Sequence, residues 1–274
     1  MDWRLSSGIV TIKGVKRDRD GSSKIEQTSP FIPMFEVFRD NLDKHYDARE
    51  RVIKASRDIT AVSKKIIFAL QRVYNLKDEI PPKIATEIQD KQLIVRNNFE
   101  SIVPDLLGVN AWRYQHQISP GLQEFVEAVS LEYYLRNQSL ISLEEATEIL
   151  PPEIDLNVHD YILGIFDLVG ELMRFAVTSM ATTGKLPASK AGEGELRDIL
   201  ADLRQLRCKL EELDISSTSR SWLAKEVPNK MNTMKESIQK VETAVCGLTI
   251  RGQERPKGWL PDSSEMKGSA IEMY

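Results

Sequence analysis

From Pro30 to Ile250 apolar side chains return at every third or fourth position, the spacing of helices that pack on one another, and no stretch alternates as a half-buried strand would. Phe31, Phe35, Phe38, Leu42, Tyr46, Ile53, Ile59, Ile66, Leu70 and Val73 keep this rhythm, with Pro33 in the first turn. They predict one helix from Pro30 to near Leu76. At about 1.5 Å per residue it would be on the order of 65 Å long, more than a small domain spans, which implies an elongated bundle. Pro81 and Pro82 close the connection to a second helix that reaches about Glu100. Asp105 to Gln117 reads as a short, broken helical piece. Ser119 and Pro120 then read as N-cap and first residue of the helix GLQEFVEAVSLEYYLR. Ser142 and Glu145 form a capping box for a short helix that stops at Pro151 and Pro152. Leu196, Ile199, Leu200, Leu203, Leu206, Leu210 and Leu213 mark a further helix. The last runs from near Ser221 to Ile250, kinked or restarted at Pro228, and stops at Gly252. The predicted class is all-α, an elongated multi-helix bundle of about seven helices.

One segment breaks the amphipathic rule. Tyr161 to Thr178, YILGIFDLVGELMRFAVT, in a helix that ends near Gly184, is apolar on nearly every side yet carries Asp167, Glu171 and Arg174. At about 100° per residue, Gly164, Asp167, Glu171, Arg174 and Thr178 share one arc of roughly 80°. Such a helix lies inside a bundle or at a large interface, and its charges face either partner charges or a wet cavity.

The chain has 274 residues, 41% of them hydrophobic, which is ample for a core. A net charge of -4 and a pI near 5.6 exclude coating nucleic acid through bulk charge, so any polyanion site has to be local. Cys208 and Cys246 are too few for a disulfide framework or a cysteine zinc site, which fits a reducing compartment, cytosol or nucleus. No secretory h-region follows Met1, and Asp167, Glu171 and Arg174 interrupt the most apolar stretch before it could span a membrane. Residues 1–29 have the mixed polar composition of a flexible arm, 30–256 form the helical domain, and 257–274 form a tail. Lys13, Lys16, Arg17 and Arg19, interleaved with Asp18 and Asp20, read as a solvated tail or as a weak nuclear import signal.

Two acidic pairs could carry chemistry. Glu124 and Glu127 are three apart on one helix, opposite Leu122, Phe125, Val126, Val129 and Tyr133. Alone they read as a solvated acidic face. Asp167 and Glu171 are four apart on a helix with no solvated face to spare, where the alternative is an internal ion pair with Arg174. Brought together, four carboxylates repel one another unless a cation lies between them, and all-oxygen ligation suits Mg²⁺ or Mn²⁺. The absence of a Glu-x-x-His motif argues against a di-iron oxidase. On the first helix Arg49, Arg51, Lys54, Arg57, Lys64, Lys65 and Arg72 outnumber Glu50 and Asp58. They make either a solvated face or, beside a metal site, a phosphate track. His45, His116 and His159 are scattered and read as packed or surface residues. There is no Gly-rich phosphate loop, serine triad order or zinc spacing.

The blocks SRDITAVSKKIIFALQR (56–72), GLQEFVEAVSLEYYL (121–135), SLISLEEA (139–146), DYILGIFDLVGELMRFA (160–176) and KVETAVCGLTIRG (240–252) resemble the translin-associated factor X branch of the translin family, in the family's order from about Phe31 to Pro256. The resemblance implies an all-α translin fold and assembly with translin into a hollow hetero-octamer. It also implies a Mg²⁺-dependent endoribonuclease that cuts single-stranded or nicked RNA, such as the passenger strand of small interfering RNA and transfer-RNA precursor fragments. In that family the carboxylates of GLQEYVEA and DLTGELMR hold the metal, and they correspond to Glu124, Glu127, Asp167 and Glu171. On this reading Glu124, Glu127 and Asp167 are the catalytic set, and Arg57, Lys64 and Arg174 are the RNA backbone contacts. The chain lacks the strongly basic N-terminal cluster of the family's animal members and differs near Pro228. Its likeness to translin itself is weaker. The alternative is a non-catalytic scaffold that stabilises translin and modulates its nucleic-acid binding.

Overall fold

The computed structural model describes residues 29–77, 79–191, 195–213 and 223–251. Most of the expected arm 1–29, with its Lys13 to Arg19 cluster, and the tail 257–274 lie outside the described residues. The chain divides into two compact units, Met1–Arg51 and Val52–Tyr274.

Helix α1 (Ile32–Leu70) crosses that division. In the first unit the residues that set its apolar rhythm, Phe31, Phe35, Phe38, Leu42 and Tyr46, are exposed, and Phe35 and Phe38 meet edge to face with ring centroids 6.0 Å apart. In the second unit the same periodicity is buried at Val52, Ala55, Ile59, Ile66, Ala69 and Leu70. There follow α2 (Pro82–Ile102), a 3-10 turn (Val103–Asp105), α3 (Val109–Asn137), α4 (Leu143–Ile149), α5 (Val158–Thr183), α6 (Ile199–Glu211) and α7 (Leu223–Arg251). Among the described residues there are seven helices, and the class is all-α as the periodicity predicts.

Helix α5 is the centre of the second unit, packing along α3 on one side and α7 on the other. Leu163, Leu168 and Val169 are fully buried, as a helix apolar on nearly all sides requires. Asn157 caps it by accepting from the Asp160 amide at 2.8 Å, and Gly184 closes it at φ 69°, a conformation that costs glycine nothing. The α3–α5 approach is set by Gly164: a Cβ there would stand 2.7 Å from Val126 Cγ1 and 2.9 Å from the Gln123 carbonyl. Only a residue without a side chain lets α5 come so near the turn of α3 that carries Glu124 and Glu127.

Three local expectations are corrected. First, Ser119 and Pro120 do not open a helix; they lie inside α3, which runs unbroken from Val109. An internal proline removes one ladder hydrogen bond and crowds the preceding turn. Here neighbouring elements hold the turn: the Ser119 hydroxyl donates to Asp160 of α5, and the Gly121 amide donates to Ser56 Oγ of α1 at 3.1 Å. Second, a two-stranded antiparallel hairpin, β1 (Ala188–Ala191) and β2 (Glu195–Asp198), precedes α6 and takes Leu196, which is 69% exposed, out of the predicted helix. Its side chains show no alternation because its anchors are polar. Gln138 donates to the Arg197 carbonyl at 3.0 Å and accepts from Ser189. Third, α1 ends at Leu70 instead of Leu76, although Val73 and Leu76 remain buried beyond it. The capping box at Ser142 and Glu145 forms as predicted, and α7 continues through Pro228. Its predicted stop at Gly252 lies outside the described residues.

Candidate metal centre

All four predicted carboxylates line one cavity of about 560 Å³, Glu124 and Glu127 from α3, Asp167 and Glu171 from α5. The i, i+3 and i, i+4 spacings put each pair on one helix face, and the Gly164 contact turns the two faces into the same space. The solvated-face reading of Glu124 and Glu127 does not hold: the Glu124 side chain is 16% exposed and Glu127 is half-buried. The internal ion pair considered for α5 does form, Arg174 Nη1 standing 3.2 Å from Glu171 Oε1, but that arginine is 58% exposed at the rim.

The four groups differ in what neutralises them. Glu171 accepts from Gln71 as well as pairing with Arg174. Asp167 receives the Lys230 ammonium from α7, at 2.5 Å from both carboxylate oxygens. Glu124 lies 3.6 Å from Lys64. Among the described residues Glu127 has no hydrogen-bond or ion-pair partner. Burial pushes its carboxyl up to about 8, the charges of Glu124, Asp167 and Glu171 push the same way, and Lys230 only partly opposes them. Burial also raises Glu124, with Lys64 pulling it down and Asp167 and Glu171 adding to the rise.

This donor set suits a hard divalent ion in chemistry: carboxylate oxygens on two packed helices, Glu127 among them raised by burial and by its acidic neighbours. As the side chains stand, no three Asp, Glu, His or Cys residues among the described residues group closely enough to hold an ion. Asp167 and Glu171 are turned toward Lys230, Gln71 and Arg174 instead. Ligation would therefore require these side chains to leave their present partners.

Of the predicted RNA contacts, Lys64 and Arg174 line the cavity. Arg57 is exposed on α1 outside it, seven residues before Lys64 and so on the same helix face, roughly 10 Å away. The rest of the α1 basic run is partly spent in pairs, Arg49 with Glu50 and Arg72 with Glu87. None of the three histidines lines the cavity.

Sequence reasoning missed Lys230, Gln71 and Phe68. Lys230 had a readable signal: Val227, Met234, Ile238 and Val241 form the buried stripe of α7, and Lys230 stands on that stripe, three after Val227 and four before Met234. A lysine in a core position needs a partner, and Asp167 is it. Gln71 lies just past the end of α1, and Phe68, 72% exposed on the cavity wall, had no pattern to mark it.

The Translin family model matches residues 47–252. Translin-associated protein X of Rattus norvegicus is 31% identical over 281 residues, covering 94% of this chain and 90% of its own. The translin-associated protein X homolog of Schizosaccharomyces pombe is 34% identical over 224 residues, covering 81% and 89%. Among solved structures, the apo-NeC3PO crystal structure superposes with a TM-score of 0.57 at 18% identity, over 79% of this chain and 97% of that one. No helix among the described residues is long and apolar enough to cross a membrane.

Proposed function

This chain belongs to the translin family, and from that premise we propose that it is the catalytic subunit of a Mg²⁺-dependent endoribonuclease assembled with translin, acting on single-stranded or nicked RNA. The observation that carries the reading is the convergence of Glu124, Glu127, Asp167 and Glu171 on one cavity, where burial and the other three acids raise Glu127. Perturbed carboxylates gathered in a cleft are what a metal-assisted active site requires.

Glu124, Glu127, Asp167 and Glu171 would hold the ion, with Mn²⁺ able to replace Mg²⁺. When bound it would supply an activated water and charge stabilisation for in-line displacement at the phosphodiester. The chain's own residues do the positioning. The Gly164 contact fixes the α3–α5 spacing, and the exposed Lys64 and Arg174 offer charge to the RNA backbone at the rim, with Arg57 further along α1; Glu171 would leave Gln71 and Arg174 to ligate.

A non-catalytic scaffold for translin is the second reading. It is favoured by the same site's neutralised state, since three of the four carboxylates already have a partner. The two readings part on one assay: the chain reconstituted with translin is tested for RNA cleavage with Mg²⁺ and with EDTA, as wild type, Glu124→Gln and Asp167→Asn. The enzyme reading expects EDTA-sensitive cleavage that both substitutions abolish while the complex still assembles. Wild-type cutting by either variant overturns the catalytic assignment, and no cutting by the wild type leaves the scaffold.

A further inference from the structure

We propose that Lys230 is the resident cation of this centre, held on both carboxylate oxygens of Asp167 where a divalent ion would bind, so that its release sets the divalent-ion concentration at which the centre fills. The inference rests on the metal-site reading above and concerns a residue of α7, outside the four carboxylates.

The geometry is that of a substitute ion. Lys230 Nζ is equidistant, at 2.5 Å, from both Asp167 carboxylate oxygens and reaches a third oxygen, the Leu163 carbonyl, at 3.4 Å. Mg²⁺ binds a carboxylate oxygen at roughly 2.0 to 2.1 Å, so an ion ligated by Asp167 would stand within the volume that the ammonium fills. Ammonium and metal ion therefore compete for the same volume. Two positive charges cannot share one carboxylate at that separation without strong repulsion, so binding at Asp167 displaces the lysine.

The surroundings allow both positions. The lysine side chain is 21% exposed, its stem lies on the buried stripe of α7, and the cavity it borders has room for the ammonium to swing away. Arg174, a cation of α5, differs: it is 58% exposed and meets Glu171 at a single oxygen, 3.2 Å away, from the rim. It adds positive charge nearby without filling a chelating position. That contrast separates occupancy from general charge.

The test measures Mn²⁺ binding to the full-length chain copurified with translin, by electron paramagnetic resonance of free Mn²⁺, for wild type, Lys230→Met, Lys230→Arg and Arg174→Met. Methionine keeps the apolar stem. Losing a charge-assisted hydrogen bond to Asp167 should tighten Mn²⁺ binding by about tenfold or more in Lys230→Met. Lys230→Arg should stay within about threefold of wild type, and Arg174→Met should shift binding by no more than about threefold. If Lys230→Met does not assemble, Lys230→Gln takes its place, with the same tightening expected and an unchanged affinity overturning the lysine's role. Equal shifts in Lys230→Met and Arg174→Met, or an unchanged affinity in Lys230→Met, overturn the lysine's role and leave the metal site standing. Absence of Mn²⁺ binding in every form overturns the metal site itself.

Discussion

Asp160 and Glu127 lie in the same pair of packed helices and are treated in opposite ways. Asp160 is fully buried and surrounded by donors: Ser119 and Gln123 from α3, the latter at 3.1 Å, and Asn157 from its own N-cap at 2.6 Å. Asp202 is similar, accepting from Tyr134 at 2.7 Å and Gln138 at 2.8 Å and pairing with Arg197. Glu127 has three carboxylates for company and, among the described residues, no hydrogen-bond donor. The contrast between these satisfied acids and Glu127 is what the proposed metal site rests on.

Several measurements can break or sharpen this contrast. The largest effect belongs to Glu127→Gln: loss of RNA cleavage by roughly a thousandfold, the several kcal/mol a metal-centred transition state draws from its ligands, with assembly preserved. Next comes Asp160→Ala, which strands three donors and should lower unfolding free energy by about 3 kcal/mol while leaving cleavage per folded molecule intact; thermal melts alongside the cleavage assay read both. Reversal of these two patterns would mean the acids have been assigned to the wrong classes.

A smaller effect is expected in pH dependence. The Glu127 carboxyl has a folded-state value of about 8, above its ordinary 4.5. Between those values the folded protein holds a proton that the unfolded chain has lost, so stability falls as pH rises from about 5 to about 8 and then levels off. The slope is at most about 1.4 kcal/mol per pH unit from this group. Glu127→Gln should flatten that stretch of the melting-temperature profile, and added Mg²⁺ should raise the melting temperature more at pH 8 than at pH 5. The smallest effect is at the rim, where Lys64→Ala should weaken RNA binding a few-fold at every sequence and lower the salt slope by about one.

Much of the α3–α5 core was legible in the sequence because it follows local rules. The 3.6-residue period, the Ser142 box, the Gly184 stop and the spacing of each carboxylate pair are properties of single segments. What escaped depends on distant segments. The reading of Ser119 as a cap is sound for an isolated chain and fails because Asp160, 41 residues on, takes its hydroxyl. The hairpin before α6 hangs from Gln138, and Lys230 reaches the site across 63 positions. The sequence shows Lys230 on the buried stripe of α7, but not which acid it meets, because Asp167 lies on another helix.

Ser56 has one more implication. Its hydroxyl receives the Gly121 amide only when α1 lies against α3, and Gly121 fits there because a Cβ would come within 3.2 Å of Ser56 atoms. Proline 120 alone would interrupt the helix one turn before Glu124. The helix bearing half of the acidic set is thus completed by assembly of the fold and not by its own sequence. A peptide of residues 109–137 should lose helicity around Pro120, and any event that pulls α1 away should disorganise the first pair of acids before it melts the second.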